Sequence, residues 1–234
     1  MAEASSSQSL SSKLNWLRAG VLGANDGIVS ISGLVIGVAA VDPHNTGAIL
    51  VAGVAGIISA AVSMALGEYV SVSTQRDTEK AVVAQHATQL RENPASLVAE
   101  VQAAWEKWGV SPETAAQAVS EVHESALVGA HLSLEHKVDE DELVNPWHAA
   151  FSSFGAFVLG SALPLLAAVL TPPNVRIIAT VAAVIITLAL TGVVAAYLGE
   201  APKRPAVIRL LVGGSAAMAL SYIVGSAFQT GFDA

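Results

Sequence analysis

Asp26 lies near the middle of a long apolar stretch, residues 14–41, and is the residue on which any chemistry of this chain most depends. A carboxylate at bilayer depth costs at least about 2.5–3.5 kcal/mol on insertion scales, so such a group is kept for an ion, a proton or a fixed partner. The run Gly23-Ala24-Asn25-Asp26-Gly27 surrounds it with small residues that let another helix approach closely. A carboxylate facing such a seam is what a cation or proton pathway needs. The plainer alternative is a structural ion pair with Arg18, two turns earlier, unless Arg18 snorkels to the membrane surface.

Met64 and Glu68, in the second apolar stretch, are spaced i, i+4 and so share one helix face, with Ser59 and Ser63 on or near it. Asp26 and Glu68 are the two acids that fall clearly within spanning segments. Thioether sulfur beside carboxylates makes a transient ligand set for iron(II) or a similar borderline cation. Set against this, a Met on an apolar helix commonly faces core or lipid, and Glu68 can face interfacial water. A third group is more polar. His131 and Glu135 are also spaced i, i+4 and can offer two ligands to one divalent ion, with His86 and Glu100 on helices able to fold alongside. The competing reading is a solvated acidic helix face. Asp139-Glu140-Asp141-Glu142, just before Pro146, reads as a solvated connector that gathers cations through its field.

Other chemistries find no residues to carry them. The chain contains neither a Gly-rich phosphate loop nor a His-Glu-x-x-His motif. None of its serines has a nucleophile-elbow context. It is not expected to be an enzyme, and transport without a nucleotide site would be driven by an ion gradient. The absence of cysteine excludes disulfides and thiolate sites, leaving oxygen, imidazole and thioether ligands. No resident cofactor is expected beyond the bound or transported ion. A net charge of −8 argues against nucleic acid as a partner.

The elements that must position these residues are membrane helices. Of 234 residues, 53% are hydrophobic and 13% charged, against about 25% charged in soluble domains. Five stretches reach the roughly 20 residues needed to cross a bilayer: 14–41, 47–72, 147–170, 175–198 and 206–228. Asp42-Pro43-His44-Asn45, Thr171-Pro172-Pro173-Asn174 and Gly199-Glu200-Ala201-Pro202 break them into tight hairpins. Pro164 is expected to kink the third span. Residues 1–13 are Ser-rich, lack the features of a cleaved signal, and read as a disordered tail.

Residues 73–145 differ in kind: polar, acidic and helical throughout. Nothing between Glu68 and Glu92 stops a helix, so the second span is expected to continue until Asn93-Pro94. Ser111 and Pro112 start another helix as N-cap and first helical residue. Trp105, Trp108, Val119, Val122 and Leu127 are expected to form a small apolar seam. The fold class is therefore an all-α membrane protein with five transmembrane helices and a helical acidic insert between helices 2 and 3. Lys and Arg gather on the insert, the N-terminal edge and the fourth connection, leaving Arg176 alone on the other side. That places the N-terminus and insert in the cytosol and the C-terminus outside. Five helices enclose a pathway poorly, so a homodimer with the path at its centre is expected. Abundant Ala and Val with short termini suggest a bacterial plasma membrane.

Asn25-Asp26-Gly27, together with the run from Ser63-Met64-Ala65-Leu66-Gly67-Glu68 through Tyr69-Val70-Ser71-Val72-Ser73 to Gln75-Arg76-Asp77, closely resembles the vacuolar iron transporter family. The likeness covers nearly the whole chain and suggests a bacterial-type member. It implies a homodimeric, proton-coupled exporter of iron(II) and similar divalent cations, with Asp26 and Met64 lining the path. It also implies an insert that binds metal through two Glu-x-x-Glu pairs and a later Met-Met-x-x-Glu. Here those positions read His86 and Gln89, Leu97 and Glu100, and His131 and Leu132 followed by Glu135. Three of these seven positions, Gln89, Leu97 and Leu132, lack a carboxylate, imidazole or thioether, which leaves His86, Glu100, His131 and Glu135. Gly56 stands where some members carry an acid two turns before Met64. On this view a divalent ion passes Glu68 and binds at Asp26 and Met64 between protomers, and protonation of Asp26 releases it. Manganese(II) export, or a membrane-anchored sensor or store that moves nothing, are the alternatives.

Overall fold

The computed structural model describes residues 10–123, 126–127, 130 and 145–232. Seven helices carry the described chain: α1 (Leu10–Val41), α2 (Thr46–Glu92), α3 (Pro94–Lys107), α4 (Pro112–Glu121), α5 (Pro146–Leu170), α6 (Arg176–Leu198) and α7 (Lys203–Phe232). Five of them, α1, α2, α5, α6 and α7, are long and apolar enough to cross a membrane. α1 begins at Leu10, four residues ahead of the expected start at Leu14. The described structure is all-α, with the polar helices α3 and α4 inserted between the second and third spans.

Local chemistry marks the element ends. Asp42 Oδ1 accepts from the His44 N–H at 2.8 Å, and Asn45 Oδ1 accepts from the Ala48 N–H at 3.0 Å, so the first hairpin caps its own second helix. α2 then runs 47 residues without a break, as the absence of a stop signal before Asn93 implies. Asn93 caps α3 through the Ser96 N–H, and Ser111 caps α4 through the Thr114 N–H with Pro112 in the first turn. α5 continues as helix through Pro164, which is buried.

Contacts group Leu14–Val70 with Pro146–Ala234 in one unit and place Ser71–Asn145 in another. In the first unit α1 is the central element. Burying hydrocarbon gives little drive for helix association in lipid, so close packing of small residues has to supply it. A Cβ added at Gly23 would stand 2.5 Å from the Ser153 carbonyl oxygen of α5. One at Gly27 would strike the Phe157 carbonyl, and one at Gly160 the Ala24 carbonyl. Ser152 Oγ adds a 3.1 Å hydrogen bond to the Trp16 carbonyl along the same crossing. Nearer its C-terminus α1 meets α7, where Gly225 lies against the Gly37 carbonyl and Gly33 against Ser221. Two apolar clusters fill the remaining space. Ile31, Val35 and Phe157 pack with Ile49, Ala61 and Leu165 on one side, and Ile28, Ile36, Val184, Leu188 and Met218 on the other.

Arg176, the lone base expected on its side of the membrane, is only 2% exposed. Its guanidinium donates to the Pro43 carbonyl, to Thr46 Oγ1 at 2.7 Å and to the Thr171 carbonyl at 3.3 Å. One side chain thus ties together the α1–α2 loop, the start of α2 and the end of α5. Planar, forked donors suit this task where an ammonium would not reach three acceptors. Arg176→Met is expected to cost about 3–6 kcal/mol, since hydrogen bonds to a charged group contribute about 1.5–3 kcal/mol each and two backbone carbonyls lose theirs. A fall in the thermal unfolding midpoint of the purified protein, partly restored by Arg176→Lys, checks this.

In the second unit Leu97, Val101, Val119 and Leu127 form the core, with Val82, Val83, Trp105 and Val122 packed around it. Trp108 departs from the expected seam and is 67% exposed. The α-helical stripe of Leu97, Val101 and Trp105 points to position 108, but α3 stops at Lys107. Trp108 is its C-cap, and Gly109 turns the chain away at φ +90°.

Candidate metal site

Asp26 is half-buried on α1 and its carboxylate accepts a 2.8 Å hydrogen bond from Ser30 Oγ, one turn on. The two residues belong to a stripe at i, i+4 spacing, Arg18, Leu22, Asp26, Ser30 and Leu34. Arg18, Leu22, Ser30 and Leu34 are all exposed. The helix face bearing Gly23 and Gly27 is closed by α5, so Asp26 stands on an open flank of an otherwise apolar bundle. Asn25, its neighbour, holds a buried Oδ1 for which no hydrogen-bond partner is present.

Met64 on α2 is half-buried and packs against the Ile31, Val35 and Phe157 cluster, so it faces core rather than lipid. Ser59 and Ser63 beside it are exposed. Glu68, one turn further, is buried, and its carboxylate accepts from Arg18 Nη2 at 3.4 Å. Arg18 also donates to Asn15 Oδ1 at 3.0 and 3.3 Å. The ion pair considered for Asp26 therefore exists, but with Glu68. Glu68 does not look out on interfacial water. Arg18 was legible as a base two turns before Asp26 on the same stripe, yet which acid it meets depends on how α2 is turned against α1.

In the insert, His86 is buried and its Nδ1 lies 2.8 Å from the Val82 carbonyl. A carbonyl only accepts, so Nδ1 carries the proton and any ligation falls to Nε2. Glu100 accepts from Ser96 Oγ at 3.1 Å. His131 and Glu135 lie outside the described residues. Among the described residues no three His, Asp or Glu side chains come together in a metal-sized group. The membrane unit instead spaces its candidate ligands singly: Glu68 of α2 beside Arg18 at one end of the α1 stripe, Asp26 two turns along that stripe, and the Met64 thioether on α2.

Residues 17–226 match the VIT family. The chain belongs to that family. Its relatives include the vacuolar iron transporter of Acanthamoeba castellanii, 33% identical over 216 residues that cover 92% of this chain and 79% of that protein. Vacuolar iron transporter homolog 3 of Arabidopsis thaliana is 37% identical over 213 residues, 91% and 82% of the two chains. Vacuolar iron transporter homolog 2 of Oryza sativa subsp. japonica is 36% identical over 221 residues, 94% of each. The stretch matched to the VIT family runs from Leu17, just before Arg18, to Ser226 in α7, so it takes in Asp26, Met64 and Glu68. This VIT-family chain is a multi-pass membrane protein of metal-ion transport, as the resemblance in its first two helices implies.

Proposed function

We propose that this chain is a homodimeric antiporter that exports iron(II), and similar divalent cations such as manganese(II), from the cytosol in exchange for protons. The observation that carries this reading is Asp26, a carboxylate in a spanning helix whose one described partner is a hydroxyl, Ser30, and whose flank is open. A carboxylate left facing hydrocarbon is costly, and a second copy of the chain across the same stripe removes that cost while enclosing a polar path. Met64 supplies a soft donor that binds iron(II) without holding it tightly. Proton and metal compete for the same Asp26 oxygens, so a proton arriving from outside releases the ion there and couples the two flows.

The N-terminus and the insert lie in the cytosol and the C-terminus outside, on the distribution of Lys and Arg. A bacterial plasma membrane fits the composition, although the relatives are named for the vacuole. The acidic insert gathers cations through its field, and His86, Glu100, His131 and Glu135 are its remaining ligands. The relatives are named transporters, which supports movement of metal over storage and over any enzymatic activity.

Metal flux into proteoliposomes loaded with a metal-quenched dye tests the proposal, comparing iron(II), manganese(II), cobalt(II) and zinc(II) with and without a pH gradient. Flux accelerated by the gradient is expected, with iron(II) among the fastest ions. No flux of any ion from folded, dimeric protein overturns it in favour of a metal-binding module.

A further inference from the structure

Arg18 has no role in the proposed pathway, yet it is paired with Glu68, an acid that lies on that pathway. Arg18 and Asp26 occupy the same stripe of α1, eight residues and so about 12 Å apart along the axis. Glu68 is the acid a cation meets first on its way to Asp26. Its side chain is 9% exposed and is neutralised by Arg18, whose own side chain is 58% exposed. The two partners are thus unequal. Glu68 is held in the helix seam, whereas the guanidinium has a ready retreat into water, where Asn15 already takes part of its hydrogen bonding.

We infer that Arg18 is a tethered counter-cation that occupies Glu68 until a divalent ion displaces it, a positioning residue acting through Glu68 and not itself a ligand. The inference rests on the transport reading in taking Glu68 as the first stop of the metal. An ionised carboxylate buried without a counter-charge is disfavoured, so ionised Glu68 is held by a cation, either the guanidinium or the metal. A monovalent ion gains nothing by replacing a charge equal to its own. A divalent ion does gain, because it attracts the Glu68 carboxylate with twice the charge. The pair therefore discriminates by charge at the mouth of the path, and it resets itself when the ion moves on.

Removing the competitor strengthens metal binding at Glu68. An ion pair with one exposed partner is worth at most about a fivefold change in an equilibrium constant, which bounds the effect. The probe is manganese(II) alone, with binding to the purified full-length protein followed by the loss of the free-ion electron paramagnetic resonance signal. Arg18→Gln is expected to lower the half-saturating manganese(II) concentration of the affected site by up to about fivefold, and Arg18→Lys to stay close to the parent protein. Glu68→Gln is expected to remove that site, and Arg18→Gln placed on Glu68→Gln to change nothing further. Unchanged or weaker binding in Arg18→Gln, or the same tightening with Glu68 already replaced, overturns the inference. If Glu68→Gln does not fold, the contrast between Arg18→Gln and Arg18→Lys decides alone. Flux in the same variants separates the two readings. A binding pattern as expected without flux in any variant rejects transport and keeps the tethered cation, whereas robust flux with Arg18→Gln binding like the parent does the reverse.

Discussion

Asp26→Asn is expected to abolish metal flux while leaving a folded protein of unchanged oligomeric state. Asparagine is almost the same shape as aspartate and keeps an oxygen for the 2.8 Å hydrogen bond from Ser30, so packing along the α1 stripe is preserved. What disappears is the charge. Without it a divalent ion at mid-membrane has only a thioether and neutral oxygens to replace its water, and no group there exchanges metal for a proton. Loss of even an outer-shell partner costs about 10–100-fold in metal affinity, and loss of a charged ligand is expected to exceed that range. Dye-quenching flux falls to the level of empty liposomes. Asp26→Asn that still transports at a tenth of the parent rate or better removes Asp26 from the mechanism. Ser30→Ala serves as the graded control, with the carboxylate retained and only its orientation loosened.

A second large effect, on stability, is expected at Gly27. A valine there drives its side chain into the Phe157 carbonyl and to within 2.8 Å of Ser161 Oγ, measured at the first added carbon. Neither neighbour can step aside. The carbonyl is part of α5, and Ser161 Oγ is committed to that same oxygen by a 2.6 Å hydrogen bond. Overpacking a tight site costs about 1–3 kcal/mol and occasionally more, and a backbone obstacle belongs at the upper end. Gly27→Val is therefore expected to unfold at a markedly lower temperature in detergent, or to fail to accumulate. Gly155→Ala, on the same crossing helix but with open space around the new carbon, is expected to be neutral. Equal stability of the two variants contradicts the close crossing of α1 and α5.

These two positions also show how far the residues alone could be read. The hairpin breaks, the unbroken α2, and the caps at Asn93 and Ser111 all follow from local rules that act within a few residues, and each appears in the structure. Asp26 was prominent because a charge among apolar neighbours is visible without any fold. Gly23 and Gly27 announced a close crossing but not the partner, which proves to be α5, more than a hundred residues away. Arg18 was expected either to pair with Asp26 or to snorkel. Its pairing with Glu68 depends on the rotation of α2 about its axis, and helical periodicity fixes positions on one helix relative to each other, never relative to a second helix. Arg176 was read only as the lone base on its side of the membrane, because its partners lie on other segments. Its three acceptors come from segments 130 residues before it and five residues before it. Trp108 was misplaced because a helical stripe extrapolates only as far as the helix does.

The way α1 touches its neighbours has a mechanical consequence. Gly23 and Gly27 of α1 meet backbone carbonyls of α5, and Gly225 of α7 meets the Gly37 carbonyl of α1; these carbonyls have no rotamers through which to yield. Around α2 the contacts are of another kind: Gly53 meets methyl groups of Val35 on α1 and Leu165 on α5, and Gly56 meets those of Leu34 and Ile31 on α1. Side-chain ends can swivel as one helix slides over another. The packing of α2 is thus more adaptable than the crossing of α1 and α5. Asp26 lies on α1, while Met64 and Glu68 lie on α2. A small translation of α2 would change the separation of Asp26 from Met64, the two groups proposed to hold the ion, without deforming either helix.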